Sequence, residues 1–247
     1  MAKELSGAGG GSSTPLPYGP QLLSYNPSLW WKLDESSGTT AADSSGNGND
    51  GTYSGTGITY GVSGPIASET AVTLDGSAGA VTSAYVQTST VAVTVITWFK
   101  TLPGSWAPSL VATDAPVSSG AGLAMWLGTL GGTGVMWQPY CDYSAELAGG
   151  KYQATNGVAP PNDTNWHMLA MTCSSVALQG EVAYLDGLPV GGNNSRSPVA
   201  LTPSTNTLQV GKPYGAASYF PGSVAQVALW DGVALSATQI ANLWAVA

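Results

Sequence analysis

The segment from Leu29 to Tyr53 constrains this chain most, because a short apolar run passes directly into a loop where regular structure cannot continue. Leu29, Trp31 and Leu33 fall on one side of an extended strand and Trp30 and Lys32 on the other, the alternation of a strand with one buried face. The stretch from Asp43 to Gly51 then gathers Asp, Ser, Gly and Asn, residues that tolerate positive φ or hydrogen-bond back to their own backbone. It reads first as a reinforced turn, and second as a cation site built on Asp43 and Asp50. The ligand spacing of a calcium loop is absent, so no calcium or other cofactor is assigned and the metal content stays open.

The rest of the chain repeats this alternation of short apolar runs and turns. With 33 Gly and 16 Pro in 247 residues, and few charges, it favours many short strands over helices. Strands are predicted at 69–77, 81–86, 91–100, 109–114, 122–127, 134–138, 166–173, 180–185, 207–211 and 224–230. Asp186 and Gly187 mark a hairpin turn between two of them. One helix is predicted at the end, capped by Ser236 with Gln239 reaching back, and apolar on the face carrying Ile240, Leu243 and Trp244. The predicted fold is all-β, a two-sheet antiparallel sandwich over 25–247. Ahead of it, residues 1–24 read as an extended Gly/Ser/Pro-rich arm.

Charge and cysteine usage narrow the partners. The formal net charge is −8 and no run of Lys or Arg occurs, which argues against nucleic acid. No stretch is long and apolar enough for a membrane span, and no apolar signal region follows Met1, so folding in a cytoplasm is expected. Cys141 and Cys173 read as buried thiols ahead of a disulfide, and spacing does not decide between them.

The order of motifs resembles a laminin-G-like jelly roll of the concanavalin A-like lectin and glucanase superfamily. Trp30 to Tyr53 is similar to the family's W-x-L-D-E-x-S-G followed by D-x-S-G-N-x-x-D-G, and Val72 to Ser77 to its next strand and turn. Thr94 to Lys100 resembles the F-T-V-S-A-W-V-K strand, and Asn165 to Thr172 with Val182 to Val190 the W-H-x-V-A and Y-V-D-G hairpin. Leu208 to Gly211, Phe220 to Trp230 and Ala234 to Trp244 complete the series. The resemblance implies two sheets packed face to face, with the strand at Trp30 beside the one at Val227. It makes His167, the only histidine, a structural position.

Related glucanases use this architecture with alternating acids along one strand, and no such strand occurs. Glu181 stands alone, Glu146 is four residues from Asp142, and the adjacent Asp34 and Glu35 face opposite ways. No G-x-S-x-G elbow accompanies His167, so no catalytic residue is assigned and the chain is read as no enzyme. Glycan recognition uses aromatic faces with a few amide or carboxylate groups. Its candidates are Trp106, Tyr140, Asp142, Tyr143, Trp126 and Trp137, the last pair in strand-like sequence. The expected role is a virion structural protein, a bacteriophage head decoration or minor capsid protein displayed on the virion surface. Its arm would anchor on the major capsid or another virion protein through Leu5, Pro15, Leu16, Pro17, Tyr18, Leu22 and Leu23. Its sandwich would project outward, toward cell-surface carbohydrate. A carbohydrate-binding module or tail receptor-binding protein is the alternative, and homo-oligomerisation is left open.

Overall fold

A computed structural model describes residues 15–101, 109–113, 123–128, 136–141, 161, 163–175, 181–192, 203–204, 206–212 and 219–247. It opens with helix α1 (Tyr18–Leu23), then strands β1 (Leu29–Trp31), β2 (Thr40–Ala41), β3 (Gly51–Ser54), β4 (Ile58–Ser63), β5 (Thr70–Asp75) and β6 (Ala80–Ser83). The middle holds β7 (Ala92–Thr101), β8 (Ser109–Ala112), β9 (Leu123–Gly128), β10 (Met136–Cys141) and β11 (His167–Ser174). β12 (Glu181–Leu185), β13 (Leu188–Gly192), β14 (Gln209–Val210), β15 (Pro221–Asp231) and helix α2 (Ala237–Ala245) follow. Among the described residues, no helix is long and apolar enough to cross a membrane.

The strands form two antiparallel sheets. The first runs β13-β12-β11-β7-β15-β5-β4, with β1 added against β15; the second runs β10-β9-β8-β14-β6-β3-β2. As the resemblance implied, Trp31 lies opposite Val227 and Leu29 opposite Leu229, so the first and last strands are neighbours. Leu29, Trp31, Leu33, Val95, Phe99 and Val227 meet Tyr53, Val81, Val111, Met125 and Val210 of the second sheet to form the sandwich core.

The first sheet is buried on both faces, which corrects the reading of Leu29 to Leu33 as one-sided. Trp30 joins Ile96, Trp98, Met168, Tyr184 and Trp230 in a second apolar layer under the two helices. Near-continuous apolar runs such as β15 follow from this double burial. A bulge between Ala225 and Ala228 shifts the register of β15 against β7. Val224 and Val227 thereby both face the sandwich core, while Ala225 and Ala228 both face the helices. Gln226, fully buried at φ +54°, sits at the bulge, accepting from Trp30 Nε1 at 2.9 Å and donating to Glu69.

The extended arm expected through Ser24 ends earlier. Residues 18–23 are helical, with Pro20 in the first turn, where its missing N–H costs no helical bond. Tyr18 and Leu22 bury against the first sheet, and Gly19 lies so close to Trp30 that an added Cβ would stand 3.0 Å from the indole. At the other end the predicted capping box is present: Gln239 N donates to Ser236 Oγ, and Ser236 N to Gln239 Oε1.

Candidate functional site

The Asp43 loop resolves as a turn. Asp43 Oδ1 accepts from the amides of Trp30 and Ser45, both at 2.9 Å, and Oδ2 from Ser45 Oγ and Asn49 N, both at 2.8 Å. Asp50 Oδ1 accepts from Asp43 N at 2.7 Å. Partial burial pushes the Asp43 carboxyl up, but these donors outweigh it and hold it below the ordinary carboxylate range. Asn47 and Asn49 tie the loop to the carbonyls of Pro27 and Ser28. Both Asp43 oxygens and Asp50 Oδ1 are taken up by protein donors. Among the described residues, no cluster of three His, Cys, Asp or Glu side chains is placed to hold a metal.

His167, at the start of β11, has partners that sequence reading missed. Its Nδ1 lies 2.7 Å from Asp186 Oδ2 and its Nε2 3.0 Å from Asp163 Oδ1. Asp186 stands 19 positions away and is brought there by the β11–β12 register and the turn it opens at φ +51°. A general base needs a nitrogen lone pair facing a nucleophile. Both nitrogens here face carboxylates, so the residue serves as a structural tie.

The glycan candidates are only partly gathered by the described backbone. Trp106, Asp142 and Tyr143, and Leu5 of the arm, lie outside the described residues. Trp126 and Tyr140 occupy the β9–β10 hairpin, where Trp126 pairs with Gln138 and Tyr140 with Ala124. Leu123 and Met125, on the same strand as Trp126, face the core. Trp137 pairs with Leu127.

The row through Tyr140 continues across the second sheet. Tyr140 pairs with Ala124, Ala124 with Ala112, Ala112 with Gln209, and Gln209 with Thr82. Gln209 falls on the face opposite the core-facing Val210, and its Oε1 is buried without a hydrogen-bond partner. No residue-level signal marked Gln209 in advance. A separate open depression of about 480 Å³, lined by Gly61, residues 63–70 and Ala247, has no aromatic wall.

Of the arm residues, Pro15, Leu16, Pro17 and Leu23 are exposed, whereas Tyr18 and Leu22 are taken up by the chain's own apolar layer. The latter two are therefore removed from the partner-anchoring set. Tyr18 Oη accepts from Trp98 Nε1 at 3.0 Å, and burial raises its phenol above the usual range.

A laminin G family model, described as the concanavalin A-like lectin/glucanases superfamily, matches residues 74–241, more than half of the chain. The chain belongs to this family. No curated protein sequence matches it. Among solved structures it is similar to domain 4 of AbnA, an extracellular arabinanase of Geobacillus stearothermophilus solved with arabinotriose. That match has 17% identity and a TM-score of 0.61, covering 88% of this chain and 98% of that one. A mutant Trypanosoma rangeli sialidase displaying trans-sialidase activity matches at 13% identity and TM-score 0.61, over 90% of this chain and 33% of its own. Botulinum neurotoxin type C, whose cell entry depends on two ganglioside molecules, matches at 10% identity and TM-score 0.60, over 91% and 52%. The chain thus spans about one third of the sialidase and half of the toxin chain. At these identities the likeness establishes the fold.

Proposed function

We propose that this chain is a non-catalytic carbohydrate-binding sandwich whose recognition surface is the outer face of the second sheet. The observation that carries this reading is the row from Tyr140 to Gln209. It aligns an aromatic position with an amide oxygen that is buried and lacks a donor, an acceptor suited to a ligand hydroxyl. Arabinotriose in the AbnA domain complex and the gangliosides of the neurotoxin support the ligand class. Support for a non-catalytic role comes from four of the described acids: Asp43, Asp75, Asp186 and Asp231 are each engaged as acceptors of backbone N–H groups.

The intact chain should retain at least one oligosaccharide on a glycan array. Trp126→Ala, Tyr140→Ala and Gln209→Leu should each weaken that binding about tenfold or more in calorimetry, with the thermal midpoint little changed; tenfold corresponds to about 1.4 kcal/mol. An empty array, or variants that bind like the parent, overturns the reading.

The finer role remains virion display, with Pro15, Leu16 and Pro17 as the described part of the anchor. These three are exposed and precede a helix docked on the sandwich, a layout that supports a projecting arm. Cys173 is disulfide-bonded, and such bonds persist in oxidising surroundings, which supports a working place outside a reducing cytoplasm. Particle co-sedimentation of the chain with and without residues 1–17 tests this: loss of co-sedimentation supports the anchor, and unchanged co-sedimentation removes it.

A further inference from the structure

We propose that Asp163, His167 and Asp186 form a proton-operated clamp that ties the segment entering β11 to the β12–β13 turn and releases Asp163 when the imidazole loses its proton. The geometry carries the argument. Both ring nitrogens lie within 3.0 Å of a carboxylate oxygen, 2.7 Å at Nδ1 and 3.0 Å at Nε2. An imidazolium donates from both nitrogens, whereas a neutral ring turns one lone pair against a carboxylate. Only the charged ring therefore satisfies both contacts.

The surroundings determine which contact fails. Asp186 is held twice over: its Oδ1 accepts from Met168 N at 3.0 Å, and its own amide donates to Met168 O at 2.9 Å. Its side chain is 26% exposed against 48% for Asp163. The neutral ring keeps its proton on Nδ1 toward Asp186, and the Nε2 lone pair then opposes Asp163. The segment that loosens is the one Asp163 organises, through Asn165 N at 2.8 Å on its carboxylate and Thr101 Oγ1 at 3.2 Å on its carbonyl. The charged groups acting on the ring are Asp186 from the turn and Asp163 from the entering segment; β7 contributes the uncharged Phe99 ring at 6.0 Å.

Burial opposes the charge, but the hydrogen bonds and fields of Asp186 and Asp163 outweigh it and raise the imidazole above 6.5. A raised folded value means that the stabilisation is complete below the unfolded value and is lost as pH rises through the folded one. The clamp thus closes below the raised folded value and opens as pH climbs through it.

Because His167 is the chain's only histidine, its imidazole signals in nitrogen-resolved NMR are unambiguous. In the full chain both nitrogens should be protonated at about pH 6, with a midpoint above about 6.5. Asp163→Asn, at an exposed position compatible with folding, should lower that midpoint. From about pH 6 to about pH 9 the Asn165 amide should lose protection tenfold or more after correction for intrinsic exchange, and Asp163→Asn should abolish most of that dependence. A midpoint at or below about 6.5, or one unmoved by Asp163→Asn, overturns the clamp.

Discussion

Asp43 shows how one side chain can hold a loop together. Its two oxygens take four donors from three residues, so it does the work of a local hydrogen-bonded lattice where no strand ladder reaches. Asp43→Ala would strand the amides of Trp30, Ser45 and Asn49, at a cost of about 1–3 kcal/mol visible in chemical denaturation. Its folded carboxyl is depressed below 3.8, so its contribution is complete above that value and disappears as pH falls through the folded one. The variant should therefore lose part of the parent's acid sensitivity below about pH 4, measured as thermal midpoint against pH. The turn itself was legible, because Asx and Gly residues act within a few positions of themselves. The acceptor pairing of His167 was not, since Asp186 lies 19 positions away and only the hairpin register brings it back.

At the scale of elements, local signals read well and long-range burial did not. The Asp186-Gly187 turn forms as expected, with φ of +51° and +78°. Gly187 also has a packing reason: an added Cβ would stand 2.8 Å from Trp244 Cβ on α2. The capping box on α2 likewise needed only Ser236 and Gln239, three residues apart. Helix α1 escaped notice because six residues containing Pro20 and no side-chain cap carry little intrinsic helical preference. It forms because Tyr18 and Leu22 are buried against Trp30 and Trp98. Leu22→Ala should cost about 2–5 kcal/mol. Tyr18→Phe should cost about 1–3 kcal/mol by leaving the Trp98 indole N–H without an acceptor. Urea titrations followed by tryptophan fluorescence measure both.

For the molecule as a whole, the sandwich is closed by contacts that no local pattern announces. Cys173 faces the core from β11 of the first sheet and is disulfide-bonded, where buried thiols were the preferred reading. The chain's other cysteine, Cys141, belongs to β10 of the second sheet, so a bond within the chain staples sheet to sheet. A loop of that length constrains the unfolded chain by about 3–4 kcal/mol. Cys173→Ser, or reduction, should lower the thermal midpoint accordingly without altering the far-ultraviolet circular dichroism of the folded state. A midpoint unchanged by reduction would mean that the staple adds nothing to stability.

The positions of β1 and of most strands from β5 onward, the turns at Asp43 and Asp186, the α2 cap and the family order were determined by the sequence alone, because each depends on neighbours within a few residues or on side-chain alternation along one strand; β2, β3 and β4 were not foreseen. Only the tertiary structure decided that the first sheet is covered on both faces, and that Tyr18 and Leu22 belong to the domain instead of its arm. It also decided that His167 stands between two carboxylates and that Tyr140 and Gln209 share one row. Each of these is a contact between segments far apart in the chain, and the physical cause is the same: burial and hydrogen-bond pairing are properties of the packed sheets, set by register and layer, and a side chain's own identity does not contain them.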